Sequence, residues 1–363
     1  MPTTGGVDSS ALTITYKHVD GHPILADVFL PSTARHDKVP ALVYFHGGGL
    51  TVGDRRSWFP SWLKDRLISA GVLFVSADYR LMPPATGLEI LQDIIDLFGF
   101  LENSLDSYLE AYCASTNRST MRIDPSRIAV AGTSAGGLCA YLAAQYASPK
   151  PTAVLGIYAL GGDFLTSHFL SVKTHPFYRG RELLDPATYS EFLYPSSASL
   201  VPTSESALRY HPTTSAIPGL PANPRMFLAR LYLQLGNFLD YYTGMHEPSL
   251  SLALRGVLEN DKEIESLLRQ LLNPEHLRLF PQLHVSQDWP PTLLIHGESD
   301  TALPATDSIN MRDILAAAGV DVSLEIVPGQ EHSFDYAPDA EKLFSKLFDR
   351  AGRFLQTHLQ SLG

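Results

Sequence analysis

The chain has 363 residues, of which 45% are hydrophobic and 18% charged, with 26 Gly and 26 Pro. That composition excludes a disordered, collagenous or coiled-coil protein and allows either one large α/β domain with an insertion or two domains. Lys and Arg total 27 against 38 Asp and Glu, a net charge of −11, so the basic excess that favours nucleic acid is missing and no nucleic-acid partner is expected.

In chain order, residues 12–30 alternate apolar and polar around Asp20-Gly21, which predicts a hairpin. Residues 40–45 form a short apolar run stopped by glycines, residues 58–70 read as a helix, and residues 72–77 form another apolar run. From Leu88 onward, Leu91, Ile94, Ile95, Phe98, Leu101 and Leu105 recur at helical spacing and give a long amphipathic helix. Residues 127–131 read as a buried strand entered by the turn Asp124-Pro125-Ser126 and followed by a small-residue helix, and 153–158 as the next strand. Near the C-terminus, 293–296 and 322–327 read as strands on either side of a helix over 305–318, with a last helix over 340–359. Strands alternating with helices imply a mostly parallel sheet.

Residues 163–285 break this alternation. A long structureless loop is improbable inside a compact domain, so this stretch is expected to be an inserted helical cap, with helices over 226–242 and 250–272. The expected domains are a core of residues 1–162 and 286–363 and a cap of 163–285.

Gly132-Thr133-Ser134-Ala135-Gly136 is a Gly-x-Ser-x-Gly motif at an expected strand-to-helix junction. A serine at so sharp a turn has an exposed hydroxyl, and the flanking positions must be glycine because no Cβ fits there. His46-Gly47-Gly48-Gly49 follows the strand at 40–45 and frees backbone N–H groups to meet an oxyanion. Phosphate binding is disfavoured, because the Walker and Gly-x-Gly-x-x-Gly spacings are absent.

A nucleophilic serine needs a base, and the base an orienting carboxylate. His332 follows the last expected strand and Asp300 the one before it, at the same sheet edge as Ser134. Asp307 and Asp163 are the competing acids: Asp307 at a helix start, where it can serve the helix dipole, and Asp163 at the opening of the cap. His46 and His296 read as loop-stabilising.

Together the His-Gly-Gly-Gly loop, the Gly-x-Ser-Ala-Gly-Gly elbow, Asp78-Tyr79-Arg80-Leu81, Asp300 and His332 resemble the hormone-sensitive-lipase-like esterase branch of the α/β-hydrolase superfamily. The resemblance covers residues 12–162 and 286–363. It implies an α/β-hydrolase fold: a mostly parallel central sheet with an N-terminal hairpin, flanking helices and an inserted helical cap. It implies Ser134 as nucleophile, His332 as base, Asp300 as its partner, and the N–H groups of Gly48, Gly49 and Ala135 as oxyanion hole. No metal and no cofactor are called for.

Three departures from the family stand out. Thr133 precedes the nucleophile where the family usually has Asp, Pro84 ends a segment where the family carries Pro-Glu, and the chain enters the sheet by about residue 12 without a helical extension, so the lid is expected from 163–285. Asp78 and Arg80 are expected to be structural, as a buried pair.

The expected activity is serine-dependent cleavage of carboxylic esters, thioesters or lactones of an uncharged, apolar small molecule through an acyl-enzyme, compatible with a place in secondary metabolism. Acyl transfer, lactone formation or dehydration with the same residues is the enzymatic alternative, and a receptor-like small-molecule binder the non-enzymatic one. In the cap, Phe227, Tyr232 and Tyr241 are the expected substrate-binding side chains, on a helix apolar around much of its circumference.

Cys113 and Cys139 are too few for a disulfide framework or a cysteine-rich zinc site and read as reduced, packed thiols. No run reaches the ~18 apolar residues of a membrane span. The first residues show no signal-peptide pattern, and Gln360-Ser361-Leu362-Gly363 is neither a peroxisomal address nor a prenylation box. The expectation is a cytoplasmic protein without a membrane anchor.

Overall fold

The computed structural model describes residues 11–32 and 37–360; the readings made on the first ten residues and the last three lie outside them. The central sheet has eight strands: β1 (Leu12–Val19), β2 (His22–Phe29), β3 (Lys38–Phe45), β4 (Leu73–Ala77), β5 (Arg122–Thr133), β6 (Val154–Ile157), β7 (Thr292–Gly297) and β8 (Val322–Val327). Their order across the sheet is β1-β2-β4-β3-β5-β6-β7-β8. The β1–β2 and β2–β4 pairs are antiparallel and the remaining pairs parallel. β4 and β7 are buried along their whole length, as apolar runs covered on both faces require. β1 instead alternates, burying Ile14 and Tyr16.

Helices α1 (Ser61–Ser69), α2 (Gly87–Asn103), α3 (Leu105–Ser115), α4 (Ala135–Tyr146), α5 (Ser167–Leu170), α6 (Leu228–Leu235), α7 (Phe238–Thr243), α8 (Leu250–Arg255), α9 (Asp261–Leu271), α10 (Pro274–Leu277), α11 (Thr306–Ala317) and α12 (Ala340–Leu359) complete the regular structure. α1 and α12 cover one face of the sheet, where Trp62 stacks on Phe348 at 4.1 Å between ring centres. α2, α3, α4 and α11 cover the other and share their core with residues of the insertion. α2 starts with a capping box: Thr86 Oγ1 accepts from Leu88 N and Glu89 Oε2 accepts from Thr86 N, a device contributing about 1 kcal/mol. Its buried stripe is Ile90, Leu91, Ile94, Leu97, Phe98 and Leu101.

The segment between β6 and β7 adds no strand to the sheet. Its expected helix over 226–242 is broken in two. Gly236 takes a left-handed conformation (φ 62°), Gly236 N–H donates to Leu233 and Asn237 N–H to Tyr232, closing α6 in a Schellman motif before α7 begins. A Cβ on Gly236 would lie 2.6 Å from the Leu170 carbonyl oxygen. The break accounts for the apolar circumference, because each short helix buries its own face: Leu228 and Leu231 on α6, Phe238 and Leu239 on α7. The expected helix over 250–272 is likewise two helices, with Ser249 capping α8 and Asn260 capping α9. No helix among the described residues is long and apolar enough to cross a membrane.

Asp78 and Arg80 are both held in ion pairs, but with different partners. Arg55 Nη1 meets Asp78 at 2.6 Å, and Arg80 Nη2 meets Asp93 at 2.9 Å. The expected pair between them does not form, because Arg55, from the loop after β3, reaches Asp78 first and also binds Asp27.

Candidate active site

The C-terminal ends of β3, β5, β7 and β8 lie at one sheet edge, since each parallel pair is in register there: Phe45 opposite Gly132, and Gly297 opposite Val327. Ser134 follows β5 with φ 53° and ψ −122°, a strained conformation for a residue with a Cβ. Backbone bonds over-determine it: Ser134 N–H donates to Ile157, and its carbonyl accepts from Gly137 and Leu160. The tight turn works only because a Cβ on Gly132 would sit 2.0 Å from the Gly136 carbonyl oxygen, and one on Gly136 2.0 Å from that of Phe45.

His332 and Asp300 come together from loops 298–301 and 328–332, which are stapled to each other. Ser299 N–H donates to Gln330, and Thr301 N–H to the Glu331 carboxylate. His332 Nδ1 lies 2.6 Å from Asp300 Oδ2. Oδ1 of Asp300 accepts from the N–H groups of Ala302 and Leu303, both at 2.9 Å, and His296 Nε2 lies 3.2 Å from Oδ2. Burial pushes the Asp300 carboxyl up, but the His332 imidazole facing it and the hydrogen bonds from His296, His332 and Leu303 outweigh burial and hold it well below the usual carboxylate range. Tyr158 packs on the His332 ring at 4.4 Å and donates its hydroxyl to Asp335 at 2.6 Å.

The competing acids sit elsewhere. Asp307 accepts from Gly162 N–H at 3.1 Å and Asp163 N–H at 2.6 Å, tying α11 to the start of the insertion; burial pushes its carboxyl up to about 7 against those bonds. Asp163 accepts from Leu165 N–H. His46 stacks on Tyr79 at 4.5 Å and its Nδ1 meets the Gly47 carbonyl, while His296 Nδ1 meets Ser308 Oγ at 2.7 Å.

Two departures from the family pattern find structural replacements. Thr133 Oγ1 lies 2.8 Å from the Tyr44 hydroxyl. Near Pro84, buried Arg225 of the insertion donates to the carbonyls of Met82 (3.1 Å), Pro83 (2.7 Å) and Thr51 (3.3 Å), so a guanidinium bonds the loop where the family carries its glutamate.

Ser134 and His332 line one cavity of about 30 Å³ with Gly49, and Leu233, Phe238 and His168 of the insertion are among the residues that close it. No Lys, Arg, Asp or Glu lines it. Helix α6 rests directly on the glycine loop: a Cβ on Gly49 (φ 62°) would lie 2.2 Å from Ala229 Cβ. Gly48 and Gly49 N–H groups donate to no carbonyl among the described residues, and Ala135 is the first residue of α4, whose N–H has no intrahelical acceptor. Among the described residues no group of three or more His, Cys, Asp or Glu could hold a metal ion. A larger groove of about 670 Å³, bordered by Trp58, Trp62, Tyr210 and Tyr336, contains neither Ser134 nor His332.

The aromatic residues expected to bind substrate lie away from this cavity. Tyr232 is fully buried, donates to the Phe192 carbonyl at 2.8 Å and stacks on Tyr241 at 3.7 Å. Tyr241 accepts from Tyr194 N–H, and Phe227 packs on Tyr189 at 5.6 Å. The insertion instead presents Leu233, Phe238, Phe169 and His168. His168 carries no motif in sequence; only the fold of α5 over the sheet edge brings it to Ser134.

This fold and site define an α/β hydrolase. A family model described as alpha/beta hydrolase fold matches residues 42–223, and the chain belongs to that family, in its hormone-sensitive-lipase-like branch; residues 261–361 also match the prolyl oligopeptidase family. Among curated proteins the chain is similar to the non-reducing polyketide synthase pkbA of Emericella nidulans, 27% identical with 96% of this chain and 14% of the synthase covered. It is also similar to the probable carboxylesterase M8 of a Phoma species, 33% identical with 40% of this chain and 45% of that protein covered. The chain thus matches only a small part of the synthase and under half of the carboxylesterase. Among solved structures it resembles an esterase of Thermogutta terrifontis (TM-score 0.55, 16% identity, 96% of this chain and 92% of that one). It likewise resembles the esterase LipW of Mycobacterium marinum (TM-score 0.58, 18% identity, 97% and 82%). The chain is an esterase-like α/β hydrolase.

Proposed function

We propose that the protein is a serine hydrolase that cleaves a carboxylic ester or thioester of an uncharged, apolar small molecule through an acyl-enzyme. The observation that carries this reading is the Asp300–His332 contact of 2.6 Å at a cavity shared with Ser134. Asp300 accepts the Nδ1 proton of His332, which leaves Nε2 free to take the Ser134 proton as Oγ attacks the carbonyl carbon. The oxyanion rests on the N–H groups of Gly48, Gly49 and Ala135. The imidazolium then protonates the departing alcohol or thiol. In the second half a water gives its proton to His332, its oxygen attacks the acyl carbon, and the acid leaves as Ser134 regains its proton.

The apolar, uncharged lining supports an uncharged acyl group. The similarity to polyketide synthases supports a polyketide-like acyl chain and gives weight to a second reading, transfer of that chain to an alcohol in place of water. A cavity of about 30 Å³ is far below the ~300 Å³ or more of a small-molecule site, so substrate entry requires α5, α6 and α7 side chains to move aside. The test is labelling with a fluorophosphonate followed by a series of p-nitrophenyl esters. Wild type is expected to be modified at Ser134 and to turn over the short esters. Ser134→Ala is expected to lose labelling and about 10⁶-fold in kcat; retention of turnover by Ser134→Ala refutes the reading.

A further inference from the structure

The cavity at Ser134 contains a second imidazole. His168, on α5, lines it beside Ser134 and His332, and its Nε2 is buried without a hydrogen-bond partner. Leaving a buried polar atom unpaired is costly, and this one belongs to a side chain that lines the cavity at Ser134. The position is built, not incidental. The carbonyl of His168 accepts from Lys173 Nζ, which also binds the Ser167 and Ser171 carbonyls, and the Leu170 carbonyl accepts from Arg255 Nε at 2.5 Å. The ring itself packs edge-on against Phe169 at 5.0 Å.

A neutral imidazole nitrogen can pair with a hydroxyl, which both donates and accepts. Burial, with Lys173 adding to it, lowers the imidazole to about 4, so the ring is neutral at physiological pH.

We infer that His168 Nε2 is a substrate-recognition group, and that the ester or acyl chain processed at Ser134 bears a hydroxyl group that hydrogen-bonds to it. This deepens the proposed hydrolase reading and rests on it: the apolar walls select the carbon skeleton, and His168 selects a hydroxylated member of that class. A site with one buried polar nitrogen discriminates against the analogue lacking the hydroxyl, because binding that analogue leaves the nitrogen unpaired.

Two matched pairs test this: p-nitrophenyl 3-hydroxyhexanoate against p-nitrophenyl hexanoate, and 3-hydroxybutyl hexanoate against butyl hexanoate. Wild type is expected to favour the hydroxylated member of at least one pair by about 10-fold or more in kcat/KM. His168→Phe is expected to erase that preference, mainly through KM, so that the kcat/KM values of the two members of the pair come together. His168→Gln, which keeps a polar group able to donate and accept, is expected to retain part of it. Equal rates within both pairs for wild type, a preference that survives in His168→Phe, or an equal fall on both members overturns the inference. Thermal melts establish that the variants are folded. Should wild type turn over no ester and Ser134 resist the fluorophosphonate, the hydrolase reading fails. The inference is then read from calorimetric titration of 3-hydroxyhexanamide against hexanamide into wild type and His168→Phe. Tighter binding of the hydroxylated amide that is lost in His168→Phe upholds it, and equal binding overturns it.

Discussion

Replacing Asp300 by Asn exchanges one carboxylate oxygen for an NH₂ group and removes the negative charge with almost no change in volume, and the surroundings dictate how the amide must lie. Two N–H groups, of Ala302 and Leu303, point at Oδ1 from 2.9 Å. Turning the amide so that its NH₂ faced them would leave two buried donors without acceptors, at ~1–3 kcal/mol each. The oxygen therefore stays with those N–H groups, and the NH₂ takes the place of Oδ2, 2.6 Å from His332 Nδ1. There it donates, so Nδ1 must accept and the imidazole proton moves to Nε2, the atom that has to receive the Ser134 proton. With the base in the wrong tautomer, kcat is expected to fall about 10⁴-fold, or ~5.4 kcal/mol of transition-state stabilisation. KM should change little and the fold should persist, with a stability loss of up to ~3 kcal/mol for the missing charge-assisted bonds. The assay is steady-state hydrolysis of p-nitrophenyl butyrate alongside the second-order rate of fluorophosphonate labelling, both of which should drop together. A loss below tenfold, in a variant that melts close to wild type, would refute the assignment of Asp300 as the partner of His332.

Gly49→Ala is expected to lower both activity and stability, since its Cβ would meet Ala229 Cβ at 2.2 Å; overpacking of this kind costs ~1–3 kcal/mol and the left-handed backbone ~1–2 kcal/mol more. Gly49→Ala with Ala229→Gly should recover the steric part, and a double-mutant cycle showing no coupling would contradict the seating of α6 on the glycine loop. For Asp307, burial raises the folded-state value to about 7, above the ~3.9 of an unfolded aspartate. The folded chain therefore holds more protons between those values, and this group's contribution to stability is full below about pH 4 and lost as pH rises through about 7. Asp307→Asn should flatten the fall of Tm across that window and leave kcat nearly unchanged; an unaltered pH dependence of Tm in calorimetry, or a kcat loss as large as that of Asp300→Asn, would count against the structural role.

Sequence by itself was sufficient for the sheet and for the elbow, because both are set by short-range constraints. A buried parallel strand must be a short apolar run, as 73–77 is, and a serine at φ 53° needs glycines two residues to either side. The order Ser134, Asp300, His332 was legible because each stands just past a strand end, and parallel pairing brings strand ends to one edge. Tertiary structure alone decided the rest. Asp300 and Asp307 are seven positions apart and alike in local sequence signal; what separates them is that one loop is stapled to the His332 loop while Asp307 binds the backbone at 162–163. The apolar stretch 226–242 gave periodicity but not its partner, so the end of α6 at Gly236, set against the Leu170 carbonyl, was not readable from it. For the same reason Tyr232 and Tyr241, which read as pocket walls, spend their rings on each other, and His168 reached Ser134 through a fold-over of α5 that no spacing rule encodes. Core elements answer to their neighbours in sequence, whereas a cap is positioned by contacts made across long sequence separations, and its chemistry becomes readable only once those contacts are in place.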